Sequence, residues 1–108
     1  MREIKAIIRP DRLPDVLRAL HAMPDLPGVT VSTVRGFGRR YPLGSEATYD
    51  EVERVKLEIV VPAAIAAEVV QAVEHAAHTA QPGDGKIFVL TVEHVIKIRS
   101  GERDLSAL

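Results

Sequence analysis

Three short stretches of the 108-residue chain carry residue types that could do chemistry. Gly83-Asp84-Gly85-Lys86 sets two glycines around an acid and follows them with a lysine. Glycines let successive backbone N–H groups turn inward as an anion nest, and Lys86 would add the countercharge. The same residues also suit a tight helix-to-strand connection with a surface lysine. They are not a Walker A loop, which needs a longer glycine spacing and a Ser or Thr where Ile87 stands. Gly36-Phe37-Gly38-Arg39-Arg40 combines small residues that permit close approach with two arginines able to grip carboxylate or phosphate oxygens; its plain alternative is a strand exit. Lys97-Ile98-Arg99 projects two cations from one side of an extended segment, as phosphate recognition or a solvated edge would.

The elements that must position these stretches follow from periodicity. Ile4, Ala6 and Ile8 alternate within a strand over 3–9, ended by Pro10-Asp11. Asp11 is a candidate N-cap for a helix whose Leu13, Val16, Leu17 and Leu20 share one face and which stops near Met23-Pro24. Alternation resumes over 29–35 and over 54–61, closed by Pro62, with a polar stretch between them that predicts a long loop over 39–54. A second helix spans 64–78, with Ile65, Val69, Val73 and Ala76 on its stripe and His75 and His78 near its negative end. A fourth strand covers 86–92, and a short fifth one 95–98. The order β-α-β-β-α-β predicts a single α+β domain over 1–108, a ferredoxin-like antiparallel sheet with two helices on one face. That fold serves many functions, so the sites must choose among them.

Composition removes several classes. There is no cysteine, hence no disulfide framework, thiolate metal site or thiol nucleophile, which fits a reducing, cytoplasmic setting. No apolar stretch is long enough to span a bilayer, and Met1-Arg2-Glu3-Ile4-Lys5 lacks the layout of a signal peptide, so a soluble protein without membrane insertion is expected. Net charge is −1, and the aromatics are Phe37, Tyr41, Tyr49 and Phe88, which argues against nucleic acid. The charge is uneven: residues 1–40 hold eight Lys/Arg and four acids, whereas 41–54 hold Glu46, Asp50, Glu51 and Glu53 with Arg54 alone.

Taken together, the run Thr79-Ala80-Gln81-Pro82-Gly83-Asp84-Gly85-Lys86-Ile87-Phe88-Val89-Leu90-Thr91-Val92 resembles the C-terminal signature of the PII signal-transduction proteins. Ile4 to Pro10, Gly36 to Arg39, Val55 to Pro62 and Ile98 to Glu102 extend the resemblance. It implies a homotrimer that binds ATP or ADP, with AMP a further option, in clefts between subunits. It also implies a long T-loop, here about 39–54, that engages a membrane transporter or a metabolic enzyme. The B-loop, 79–86, would hold the phosphates through Gly83, Asp84, Gly85 and Lys86. Arg39 with Lys97 and Arg99 of the C-terminal loop, 97–108, would complete the clamp. Thr30 and Val60 match positions that hold adenine and ribose, and Gly36, Phe37 and Gly38 the cleft wall. Position 97 is usually arginine, so Lys97 keeps the charge but loses the fork.

The T-loop departs from the family pattern. The uridylylated tyrosine of the family sits in a Tyr-Arg-Gly-type sequence, whereas Tyr41 precedes Pro42 and Tyr49 precedes Asp50. The glutamine that chelates magnesium and supports 2-oxoglutarate binding is replaced by Arg40, and the companion lysine corresponds to Arg54. This marks a divergent, PII-like member in which magnesium is uncertain, and in which Arg40 and Arg54 could hold a second, compact anion. Tyr41, Glu46, Tyr49, Asp50 and Glu51 would face the partner. Two other readings stand beside this one: a conventional nitrogen regulator sensing 2-oxoglutarate, and a trimeric metal-binding protein using His75 and His78 with Glu74. Catalysis is not expected. An acylphosphatase of this fold would need an asparagine, and the chain has none.

Overall fold

The computed structural model describes residues 1–40 and 48–108, with residues 40 and 48 by their backbone only. Four strands, β1 (Arg2–Ile8), β2 (Thr30–Arg40), β3 (Thr48–Val61) and β4 (Gly85–Thr91), form one sheet in the order β2-β3-β1-β4. Every neighbouring pair is antiparallel. Helix α1 (Leu13–His21) links β1 to β2 and α2 (Ala63–Ala77) links β3 to β4, each crossover passing over the strand that lies between. This is the α+β, ferredoxin-like double split βαβ expected from the element order.

Alternation decides which face is covered. Ile4, Ala6 and Ile8 of β1 stand in register with Ile59, Leu57 and Val55 of β3, and all six are buried. Val16 and Leu20 of α1 and Val69 and Val73 of α2 close over them, fully buried. The intervening residues face the other way. There Lys5 lies between Glu58 and Phe88, and Glu3 between Val60 and Leu90.

Three local expectations are corrected. Asp11 does not cap α1: residues Pro10–Arg12 form a 3-10 turn, and Arg12 takes the N-cap position without a side-chain bond. Arg12 instead reaches the end of α2, its Nε and Nη2 donating to the Ala76 carbonyl at 3.0 and 2.6 Å, so that a cation meets the negative end of that helix. The fifth strand is absent; Ile96 makes an isolated bridge with Arg103, and Lys97 and Arg99 belong to a turn. Finally, the described residues of the 39–54 stretch, 39–40 and 48–54, are strand. β1 pairs with β3 only from Val55 onward, yet β2 and β3 stay in register out to Arg40↔Thr48. Residues 34–40 and 48–54 thus make a two-stranded ribbon beyond the core. Apolar alternation could not reveal it, because no core underlies the ribbon to demand it.

Candidate functional site

The connection between α2 and β4 is held by Asp84. Its carboxylate accepts from the Thr79 N–H at 2.7 Å, the Ala80 N–H at 3.0 Å, the Thr79 hydroxyl and Arg9 Nε at 3.0 Å. These bonds, the Thr79 hydroxyl foremost, favour the charged form and hold the Asp84 carboxyl well below the ordinary value of 3.8. Asp84 therefore builds the loop with its carboxylate. The backbone takes positive φ at Ala80, Gly83 and Gly85. At Gly85 (φ 102°) a Cβ would fall 1.7 Å from the Ile7 carbonyl oxygen, so a side chain there would force the backbone to shift. At Gly83 (φ 89°) a Cβ would lie 2.8 Å from Arg54 Nη2, which places that guanidinium against bare backbone.

Gly83 opens onto a cleft of about 430 Å³ shared with Gly38, Arg39 and Asp50 of the ribbon, Arg54 of β3 and Arg9 at the end of β1. Three guanidiniums thus border one opening together with the Asp50 carboxylate, and Arg9 is also paired with Asp84 at 3.0 Å. Arg54 also donates to the Glu53 carbonyl at 2.8 Å. Arg39 gives Nε and Nη2 to the Tyr49 hydroxyl at 2.9 and 2.7 Å, and its guanidinium lies 5.5 Å from the ring centroid. Such a cleft suits an anion with several oxygens, for which bidentate guanidinium contacts and a glycine-rich backbone are the matching donors.

The other expected residues are dispersed within one chain. Thr30 and Val60 line a second depression of about 390 Å³ with Gly28, Glu58 and the terminal Leu108. Lys86 is exposed on β4 and borders a third, of about 250 Å³, with Glu74, His78 and Asp84. Lys97 and Arg99 sit in a turn closed by the Lys97 N–H on the Glu102 carbonyl (2.9 Å) and the Gly101 N–H on the Lys97 carbonyl (2.8 Å). On the ribbon, Gly36 lies opposite Val52 and Gly38 opposite Asp50, while Phe37 is largely exposed. A Cβ at Gly38 would meet nothing within 4 Å. Tyr49, Asp50 and Glu51 belong to β3, with Glu51 paired to Arg35 at 3.2 Å. Tyr41 and Glu46 lie outside the described residues, and Arg40 is placed by its backbone alone. Among the described residues no three of His, Asp and Glu assemble as a metal-holding group. Sequence reading overlooked Arg9 as a site residue, although the Arg9-Pro10 step at a strand end was visible; its partners lie 73 and 75 residues away.

Known proteins share this architecture and much of its sequence. The family model for nitrogen regulatory protein P-II matches residues 1–102. Over the full length of both chains the protein is 40% identical to a nitrogen regulatory protein P-II of Azospirillum brasilense and 44% identical to nitrogen regulatory protein P-II 1 of Escherichia coli K12. Among solved structures, Arabidopsis thaliana PII bound to citrate superposes with a TM-score of 0.84 at 41% identity, covering 99% of this chain and 91% of the other. A B. subtilis GlnK–ATP complex gives 0.87 at 30% identity, with 99% and 96% covered. By sequence along its whole length and by fold, the chain belongs to the nitrogen regulatory P-II family.

Proposed function

We propose that this protein is a non-enzymatic, cytoplasmic regulator that binds ATP or ADP between the subunits of a homotrimer and controls a transporter or enzyme through its T-loop, about 39–54. The observation that carries this reading is the cleft in which Arg9, Arg39 and Arg54 surround Gly83. ATP in the related GlnK supports the ligand class. The separation of Thr30 and Val60 from that cleft suits a shared site: one copy supplies Gly36 to Arg39 and Gly83 to Lys86, and its neighbour supplies Thr30, Val60, Lys97 and Arg99. Apolar surface supports the assembly, since Phe88, Val89 and Leu90 of the edge strand β4 are exposed and Ile98 is 98% accessible. Among the described residues no helix is long and apolar enough to cross a membrane.

Tyr49, Asp50 and Glu51, together with Tyr41 and Glu46, form the partner-binding surface in this reading. Arg40 and Arg54 hold a second, compact anion. Nucleotide titration by calorimetry tests the core of it. ATP, ADP or AMP should bind with a dissociation constant below about 1 mM, roughly 4 kcal/mol of binding, and none binding would sink the reading. Sedimentation should give a trimer. Lys86→Ala and Arg99→Ala should each weaken binding. Zinc or copper binding without nucleotide binding, lost in the His75→Ala/His78→Ala double variant, would favour the metal-binding trimer instead.

A further inference from the structure

Arg9 follows the last residue of β1 and brackets Gly83. Its Nε donates to Asp84 Oδ1 at 3.0 Å and its Nη2 donates to the Pro82 carbonyl, so one rigid fork holds the residues on either side of the glycine. The Pro82–Gly83 peptide is planar and trans, so fixing the direction of the Pro82 carbonyl also fixes the opposed N–H of Gly83. Gly83 itself, at φ 89° and without a side chain, has no intrinsic preference that would do this. Both acceptors of Arg9 belong to the loop, and neither belongs to the hydrophobic core.

We infer that Arg9 is a positioning residue of the anion cleft, presetting the Pro82–Gly83 peptide plane so that the Gly83 N–H is oriented before a ligand arrives. The inference deepens the nucleotide-binding reading and rests on it for the identity of the ligand. The mechanism is preorganisation: a donor ordered in advance spares the ligand the entropy of ordering it. Charge attraction is a separate matter. Arg9 is already paired with Asp84 at 3.0 Å, so its cation is largely offset from the ligand's viewpoint. Orientation and charge therefore predict different outcomes for lysine, which keeps the charge but not the planar fork.

The test compares the full-length protein with its Arg9→Met and Arg9→Lys variants, by ATP calorimetry and by 15N relaxation of the Gly83 amide. Both variants should bind ATP about five- to twentyfold more weakly, and the Gly83 order parameter should fall from about 0.85 toward 0.6. An Arg9→Lys protein with wild-type affinity would overturn the inference, because charge would then suffice. So would weakened binding with an unchanged Gly83 order parameter, or unchanged binding in Arg9→Met. Should Arg9→Met not fold, Arg9→Gln goes through the same two measurements. If the wild-type protein binds no nucleotide, the nucleotide reading falls, and relaxation decides the positioning role: a mobile Gly83 in Arg9→Met upholds it and a rigid one overturns it.

Discussion

The guanidinium of Arg39 meets the Tyr49 hydroxyl with two nitrogens, Nε at 2.9 Å and Nη2 at 2.7 Å, across a directly paired position of the ribbon. That edge of the guanidinium is one of the two that a carboxylate or phosphate can take bidentately. A phosphate taking it competes with Tyr49, and the exchange would loosen a cross-strand tie of the ribbon proposed to meet the partner.

Tyr49→Phe removes the hydroxyl and keeps the ring. A hydrogen bond worth about 1 kcal/mol net no longer has to be broken, so ATP affinity should rise about three- to tenfold, read by calorimetry. Arg39→Ala should lower it. An unchanged affinity in Tyr49→Phe would mean that Arg39 serves ligand and tyrosine without competition.

Gly85 and Gly38 should separate stability from binding. Gly85→Ala forces a Cβ onto the Ile7 carbonyl in a left-handed backbone, and urea unfolding should show a loss of about 2 to 4 kcal/mol. Gly38→Ala meets open space at a position without positive φ, so its stability should stay within about 1 kcal/mol of wild type. A drop in nucleotide affinity in Gly38→Ala then reports on the ligand's close approach.

Asp84 sets an acid limit on the loop. Its carboxyl is held below 3.8 by the Thr79 hydroxyl and N–H, Arg9 and the Ala80 N–H, so the folded state binds the proton less readily than the unfolded state does. Its stabilising contribution is accordingly complete above about pH 4 and is lost as pH falls below it. Asp84→Asn should be less stable than wild type by a constant amount from pH 5 to 8, and the gap should narrow below pH 4. Denaturant midpoints across that range check it; a gap that widens on acidification would mean the carboxylate is not the group holding the loop.

Much of this was legible in the sequence for one physical reason: burial imposes period. Ile4, Ala6 and Ile8, or Val69 and Val73, face a core and so announce strand and helix within a residue or two of their true ends. The ribbon is not announced, because Arg35, Glu51, Arg39 and Tyr49 are selected by cross-strand partners instead of by burial. The turn at Lys97 and Arg99 has the same origin, since backbone bonds to Glu102 and Gly101 replace strand pairing there. Family likeness pointed to Gly83 and Arg39 for a nucleotide and to Arg54 for a second anion, and all three line one cleft. Arg9 was hidden because its role depends on two acceptors far along the chain, one of them a backbone carbonyl that carries no sequence signature.

The second effector is proposed from the charge that lines the cleft. Arg54 Nη2 packs against Gly83 within the cleft, and Arg40 stands in the sequence next to Arg39 where the family's pattern has a metal-chelating glutamine. The guanidiniums of Arg9, Arg39 and Arg54 that line the cleft oppose a divalent metal and favour a compact anion. Magnesium-dependent 2-oxoglutarate binding is therefore expected to be absent, while an anion such as bicarbonate should bind the nucleotide-loaded protein. Binding should be reciprocal, each ligand tightening the other by the same factor. Titrating ATP-loaded and ADP-loaded protein with 2-oxoglutarate plus magnesium, and separately with bicarbonate, distinguishes the two. Arg54→Ala should abolish the bicarbonate response. Tight 2-oxoglutarate binding that requires both ATP and magnesium would instead show the protein acting as a conventional nitrogen sensor.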